Sequence, residues 1–232
     1  MHVYKLLKDW LEVWALIIPI SVLLFKPKQP FVHRPIIIYL FLALVFNTAA
    51  NIIWKTSYLY ELPKWLESNN YIYNLHAVVR FYLFAWFFTL IDRKTYPIVK
   101  KLIPLLFTLF LIINFIWAED FFFFDKLSNR LHAVEAGLLL IYSLMFYWSK
   151  LQFEHISITK SEGFWVVTGL AIFVLTSFPI YLYYELSLRE NIETAIDLWQ
   201  VQKVAFLLFC IFIAKAFYDM DSKQRHAIIT NS

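Results

Sequence analysis

Seven long apolar stretches recur along these 232 residues, at about 10–25, 35–54, 71–91, 102–117, 131–148, 164–184 and 198–217, the first only marginally long enough to cross a bilayer. A spanning helix needs about 20 mostly apolar residues, whereas a transmembrane strand needs about 10 that alternate. These stretches do not alternate, and all of them run past the length of a strand. With 61% hydrophobic and only 16% charged residues, the chain carries more apolar surface than a soluble fold of its length covers. The expected fold is an all-α membrane protein, a single transmembrane domain over 1–232 built as a seven-transmembrane-helix bundle.

The rest of the composition mainly excludes. Three glycines leave no Gly-rich phosphate loop, and one cysteine, Cys210, leaves neither a disulfide framework nor a CxxC metal site. The pI near 9.0 comes from basic residues in the connections rather than from a basic stripe, which argues against nucleic acid. The N-terminal MHVYKLLKDWLEVW has the charged start of a signal peptide, but no small-residue cleavage site follows and Glu12 interrupts it. An uncleaved first helix is the expectation. With the N-terminus outside, eleven Lys and Arg fall in the inner connections and seven in the outer ones, the bias of a chain whose C-terminus is cytoplasmic. The expected location is the plasma membrane, as a multi-pass protein.

In a bilayer every ionisable side chain needs a partner, water or a function, because burying one in lipid costs roughly 2.5–3.5 kcal/mol or more. The stretch YIYNLHAVVRFYLFAWFF, 71–88, carries His76 and Arg80 one helical turn apart. Asn47/Asn51, His132/Glu135 and Trp199/Lys203 repeat that spacing on three other segments, with Gln200 and Gln202 beside the last. Alternate helices run in opposite directions, so late positions on even segments and early positions on odd ones share a depth. The polar groups therefore gather in the outer half, and the inner half is greasy, as in 81–88, 138–144 and 206–213. The expected ligand-binding set is Asn47, Asn51, His76, Arg80, His132, Glu135, Gln200 and Lys203, a cup open to the outside. Arg80 and Lys203 would meet a polar or anionic small molecule, Glu135 would be the counter-charge, and the bilayer and a signalling protein would be the other partners. The competing structural reading is that Arg80 and Glu135 simply pair inside the bundle.

Other chemistries fit less well. His76, His132 and Glu135 are the residue types of a zinc site with an open water position, and thus of a metal-dependent lipid hydrolase. No HExxH is present, however, and the chain lacks the histidine pattern of the seven-helix hydrolases related to alkaline ceramidases and adiponectin receptors. No metal or cofactor is therefore expected. A retinal Schiff base on Lys203 would place the lysine only about one turn into its span, and a transporter would need a polar exit through the greasy half. Trp10, Trp54, Trp117, Trp148 and Tyr183 fall near segment ends as an interfacial belt. FFFFDK, at 121–126, reads as a re-entrant turn or a lid, and Trp65 as part of a short surface helix.

The runs NNYIYNLHAVVRFYLFAWFF, SNRLHAVEAGLLLIYSLMFYW, EGFWVVTGLAIF and DLWQVQKVAFLLF resemble an uncharacterised family of short bacterial multi-pass integral membrane proteins without an assigned activity. The resemblance covers most of the chain from the third segment onward. It implies a seven-helix bundle and supplies no reaction. The family pattern has a glutamate where Arg80 stands and a second matching Glu135, so a carboxylate pair would here be an Arg and Glu pair.

Overall fold

The computed structural model describes residues 8–57, 59–61, 63, 66–92, 95–118, 126–153, 161 and 163–230. Among them the regular structure is helical, in seven α-helices of fifteen residues or more: α1 (Leu11–Phe25), α2 (Arg34–Ser57), α3 (Asn70–Ile91), α4 (Pro97–Ile113), α5 (Asn129–Phe153), α6 (Phe164–Glu190) and α7 (Ile192–Thr230). A 3₁₀ turn, Phe31–His33, leads into α2, and a π turn, Asn114–Ala118, extends α4. Six of these helices are long and apolar enough to cross a membrane. α1 is shorter: its 15 residues rise roughly 22 Å against a hydrocarbon core of about 30 Å.

Six helices close a ring. α1 packs on α2 and α7, α2 on α3, α3 on α5, α5 on α6, and α6 on α7, the most extensive of these contacts. α4 stands outside the ring, against α3 and α5, and buries only Lys100, Ile103 and Phe107. Outward faces are apolar as well as inward ones, with Val45, Leu105, Leu144, Leu175 and Val204 all exposed, the distribution of a bundle whose solvent is lipid. Inside the ring the packing is aromatic. Phe173 stacks on Phe209 at 5.7 Å, Tyr39 meets Phe84 edge-on at 5.1 Å, and Phe81 packs on Phe107 of α4 at 3.9 Å. Each such pair adds about 0.5–1.5 kcal/mol beyond the area it buries.

Polar side chains within the helices mostly close on their own backbone. Thr89, Thr108, Ser143, Thr168 and Thr176 each donate to the carbonyl four residues back. This satisfies the hydroxyls without help from a neighbouring helix. Two hydroxyl pairs do cross between helices: Tyr82 with Thr108 and Tyr147 with Thr168, each at 2.8 Å.

Several helices outrun the expected segments, because a backbone that has left the apolar stretch still satisfies itself by continuing to coil. α4 starts at Pro97, the favoured first position, after a left-handed Tyr96 (φ 52°). Lys100 and Lys101, expected in a connection, therefore lie inside α4. Lys100 is buried, and its ammonium donates to the Asp92 carbonyl at the end of α3 and lies 3.4 Å from the Asp92 carboxylate. It thus caps a helix that has no other basic residue in its last turn. Burial alone would raise the Asp92 carboxyl, but the hydrogen bonds from Thr95 and the Lys100 charge outweigh it and hold the group below its ordinary value. A lowered native value makes this a stabilising contribution that is complete above about pH 4 and lost as the pH falls through that native value. Asp92→Asn is accordingly expected to lower the unfolding midpoint at pH 7, with its difference from the parent protein shrinking as the pH falls through the native Asp92 value, read by thermal unfolding in nanodiscs.

Candidate functional site

At one end of the ring every ring helix contributes to a shared cavity, and α4 contributes nothing. α1 supplies Glu12, α2 Asn47, and α3 Tyr73, His76 and Arg80. α5 adds His132, α6 adds Phe173 and Tyr181, and α7 adds Trp199, Gln202 and Phe206. The space open to the centres of water-sized spheres is about 20 Å³, room for one or two waters. Helical rise sets the depth. Glu12 and Tyr73 sit in the first turn of their helices and form the rim, while Arg80 lies two turns below Tyr73 and forms the floor.

The floor is an ion pair. Arg80 Nε donates to Glu135 Oε1 at 2.5 Å and Arg80 Nη2 to Oε2 at 2.6 Å, with both side chains buried. Such a two-pronged contact uses the planar fork of the guanidinium and both carboxylate oxygens. The guanidinium carbon also lies over the Phe173 ring, 5.1 Å from its centroid. The charge that looked free in the sequence is thus neutralised within the bundle. His132 Nδ1 is 4.0 Å from Glu135 Oε2, too far for a hydrogen bond, and its ring stacks on Tyr181 at 4.7 Å. The His76 ring packs between Tyr39 at 5.8 Å and Phe46 at 5.5 Å.

The walls leave polar atoms open. His76 Nε2, both ring nitrogens of His132 and Gln202 Oε1 are buried without a hydrogen-bond partner. A buried polar group left unmade costs about 1–3 kcal/mol, so four such atoms on residues around one small space call for a partner. At the rim the Tyr73 hydroxyl donates to Glu12 Oε2 at 3.4 Å, and the Tyr73 ring meets Trp199 edge-on at 5.8 Å.

No protein-family model, curated protein or solved structure matches this chain. What its site does therefore has to come from the geometry. Of the expected residues, Asn47, His76, Arg80 and His132 line the cavity, and Glu135 sits beneath Arg80. Asn51, Gln200 and Lys203 do not line it. Asn51 is buried but donates to the Asn47 carbonyl at 3.0 Å, and Asn47 donates to the Ala43 carbonyl at 2.9 Å, so both amides are turned back on α2. Gln200 and Lys203 are half-buried on the flank of α7.

Sequence reasoning missed Glu12, Tyr73, Tyr181, Trp199 and Gln202 as wall residues. Two of these had a signal. Trp199, Gln202, Phe206, Phe209 and Ile213 follow the three-and-four spacing of one helical face, which selects Gln202 over Gln200. Glu12 is an early residue on an odd segment and so shares the depth of the other polar groups. Among the described residues no group of three or more His, Cys, Asp or Glu is placed to hold a metal ion, so His76, His132 and Glu135 do not form the zinc set their types allowed. The 121–125 run and Trp65 lie outside the described residues.

Proposed function

We propose that this chain is a seven-helix protein of the plasma membrane, with its N-terminus outside and its C-terminus in the cytoplasm, and that the polar cavity is an outward-facing small-molecule sensing or binding site. The excess of Lys and Arg in the connections on one side supports the orientation. The observation that carries the binding reading is the set of four unpartnered atoms on His76, His132 and Gln202, all facing a water-sized space. A purely structural polar cluster between membrane helices closes its hydrogen bonds internally. Here the floor does so, as do the Tyr73, Asn47 and Gln202 donors, while those four atoms stay open.

The reading also provides a route for a signal. Because the wall is drawn from all six ring helices, an occupant larger than water has to move them relative to one another, which shifts the balance between two packings of the ring. α7 carries three wall residues and continues beyond its apolar span, which ends at Asp219, as far as Thr230. A protein partner reached by that extension would read the movement.

The test is thermal unfolding of the purified full chain in nanodiscs, with small cations, anions and neutral amides added at matched ionic strength. A ligand present at about 100 times its dissociation constant stabilises by about 2.7 kcal/mol. At least one class of solute is expected to raise the midpoint of the parent protein and to lose that effect in Gln202→Leu. A midpoint unmoved by every class would refute the binding reading.

A further inference from the structure

We propose that the cavity takes an ammonium-type cation, ammonium itself or the head of a primary amine, with Glu12 as its anchor. This rests on the binding reading above and reverses the sign of ligand that the basic residues alone imply.

The charge that faces the cavity decides the sign. Arg80 spends its fork on both oxygens of Glu135, and Lys203 is not a wall residue. Glu12 is the remaining ionisable acid or base on the wall apart from the two imidazoles. It is buried, and its one hydrogen bond among the described residues is the long contact with Tyr73.

The balance of donors and acceptors points the same way. Tyr73 directs its hydroxyl to Glu12, Gln202 Nε2 donates to the Tyr181 hydroxyl, and Asn47 Nδ2 donates to the Ala43 carbonyl. The Tyr73 hydroxyl and one amide N–H each of Gln202 and Asn47 are thus engaged. What remains open to accept is Gln202 Oε1, the Glu12 carboxylate and the lone-pair nitrogen of a neutral imidazole, against the His132 N–H and the Tyr181 hydroxyl as open donors. Acceptors are in excess, and an ammonium group brings three or four N–H groups to meet them.

The wall chemistry and the size agree. Trp199, Tyr73, Tyr181, Phe173 and Phe206 line the same space, and aromatic faces attract cations through their quadrupoles, more strongly when water is excluded. Ammonium is close to water in size, whereas a carboxylate or phosphate needs more than the roughly 20 Å³ available. Lys203 lies in the field of Glu12 and so competes with an arriving cation.

The experiment uses the full chain in nanodiscs at neutral pH, with ammonium chloride and methylammonium chloride as probes against sodium chloride, sodium acetate and acetamide. Ammonium and methylammonium are expected to raise the unfolding midpoint by several degrees with saturation. Glu12→Gln should weaken that response at least tenfold, and Lys203→Gln should strengthen it. A response to acetate or acetamide but not to ammonium would overturn the cation assignment and leave the binding reading standing. An ammonium response unchanged in a folded Glu12→Gln protein would overturn Glu12 as the anchor. Silence from every probe would overturn both the cation assignment and the binding reading. If Glu12→Gln fails to fold, the comparison of cation with anion on the parent protein decides the sign by itself.

Discussion

Glu135→Ala is expected to destabilise the bundle by about 3–5 kcal/mol, because it leaves the buried Arg80 guanidinium without its counter-charge. The pair is two-pronged, fully buried, and bridges α3 and α5 where the ring depends on their contact. The cost comes from the uncompensated charge rather than from the net worth of the bridge. Replacing both partners, as Arg80→Met with Glu135→Leu, is therefore expected to recover most of the loss, since apolar side chains of similar volume often equal or exceed a buried ion pair. Unfolding of the single and double variants in nanodiscs checks this. A double variant as unstable as Glu135→Ala would mean that the pair contributes more than charge compensation.

Gly169→Ala carries the second large effect. A Cβ at this position would lie 2.5 Å from Phe212 Cβ and 3.2 Å from Phe209 Cδ2, on the contact where α6 packs most extensively against α7. Phe212 Cβ is one bond from the backbone, so relief requires the two helices to separate rather than a side chain to rotate. Overpacking of that kind costs about 1–3 kcal/mol. Gly137→Ala is the control: its nearest neighbour is the ring of Phe178 at 3.4 Å, an ordinary contact, and that variant should unfold with the parent protein. Equal midpoints for the two variants would contradict the assigned difference in packing. α7 also carries Trp199, Gln202 and Phe206 on the cavity wall, so separating it from α6 should weaken any ligand response in the same sample.

Depth along the helices was legible in the sequence. Counting positions early on odd segments and late on even ones puts Asn47, His76, Arg80 and His132 at a common level, and all four line the cavity. The same rule covers Glu12, which the sequence reading used only as an interruption of the signal-peptide-like start. Rotation about each helix axis was less legible. On α7 both Gln200 and Gln202 have the right depth, and only the face shared with Trp199 and Phe206 separates them. On α2 the amides of Asn47 and Asn51 turn to carbonyls of their own helix, an alternative open to any asparagine there and not marked by its neighbours.

The sequence by itself determined the solvent of this chain and the places and levels of its apolar helical stretches, because those follow from how many apolar residues stand in a row and where polar ones interrupt them. Only the tertiary structure decided that Arg80 is spent on Glu135, that α4 stands outside the ring, and that Glu12 comes to lie on the cavity wall. These are relations between residues far apart in the chain, such as the 55 positions from Arg80 to Glu135. In a bundle apolar on both its inner and outer faces, hydrophobic pattern does not choose among helix neighbours. Packing between helices makes that choice, through close contacts such as Gly169 on Phe212 and paired charges such as Arg80 and Glu135.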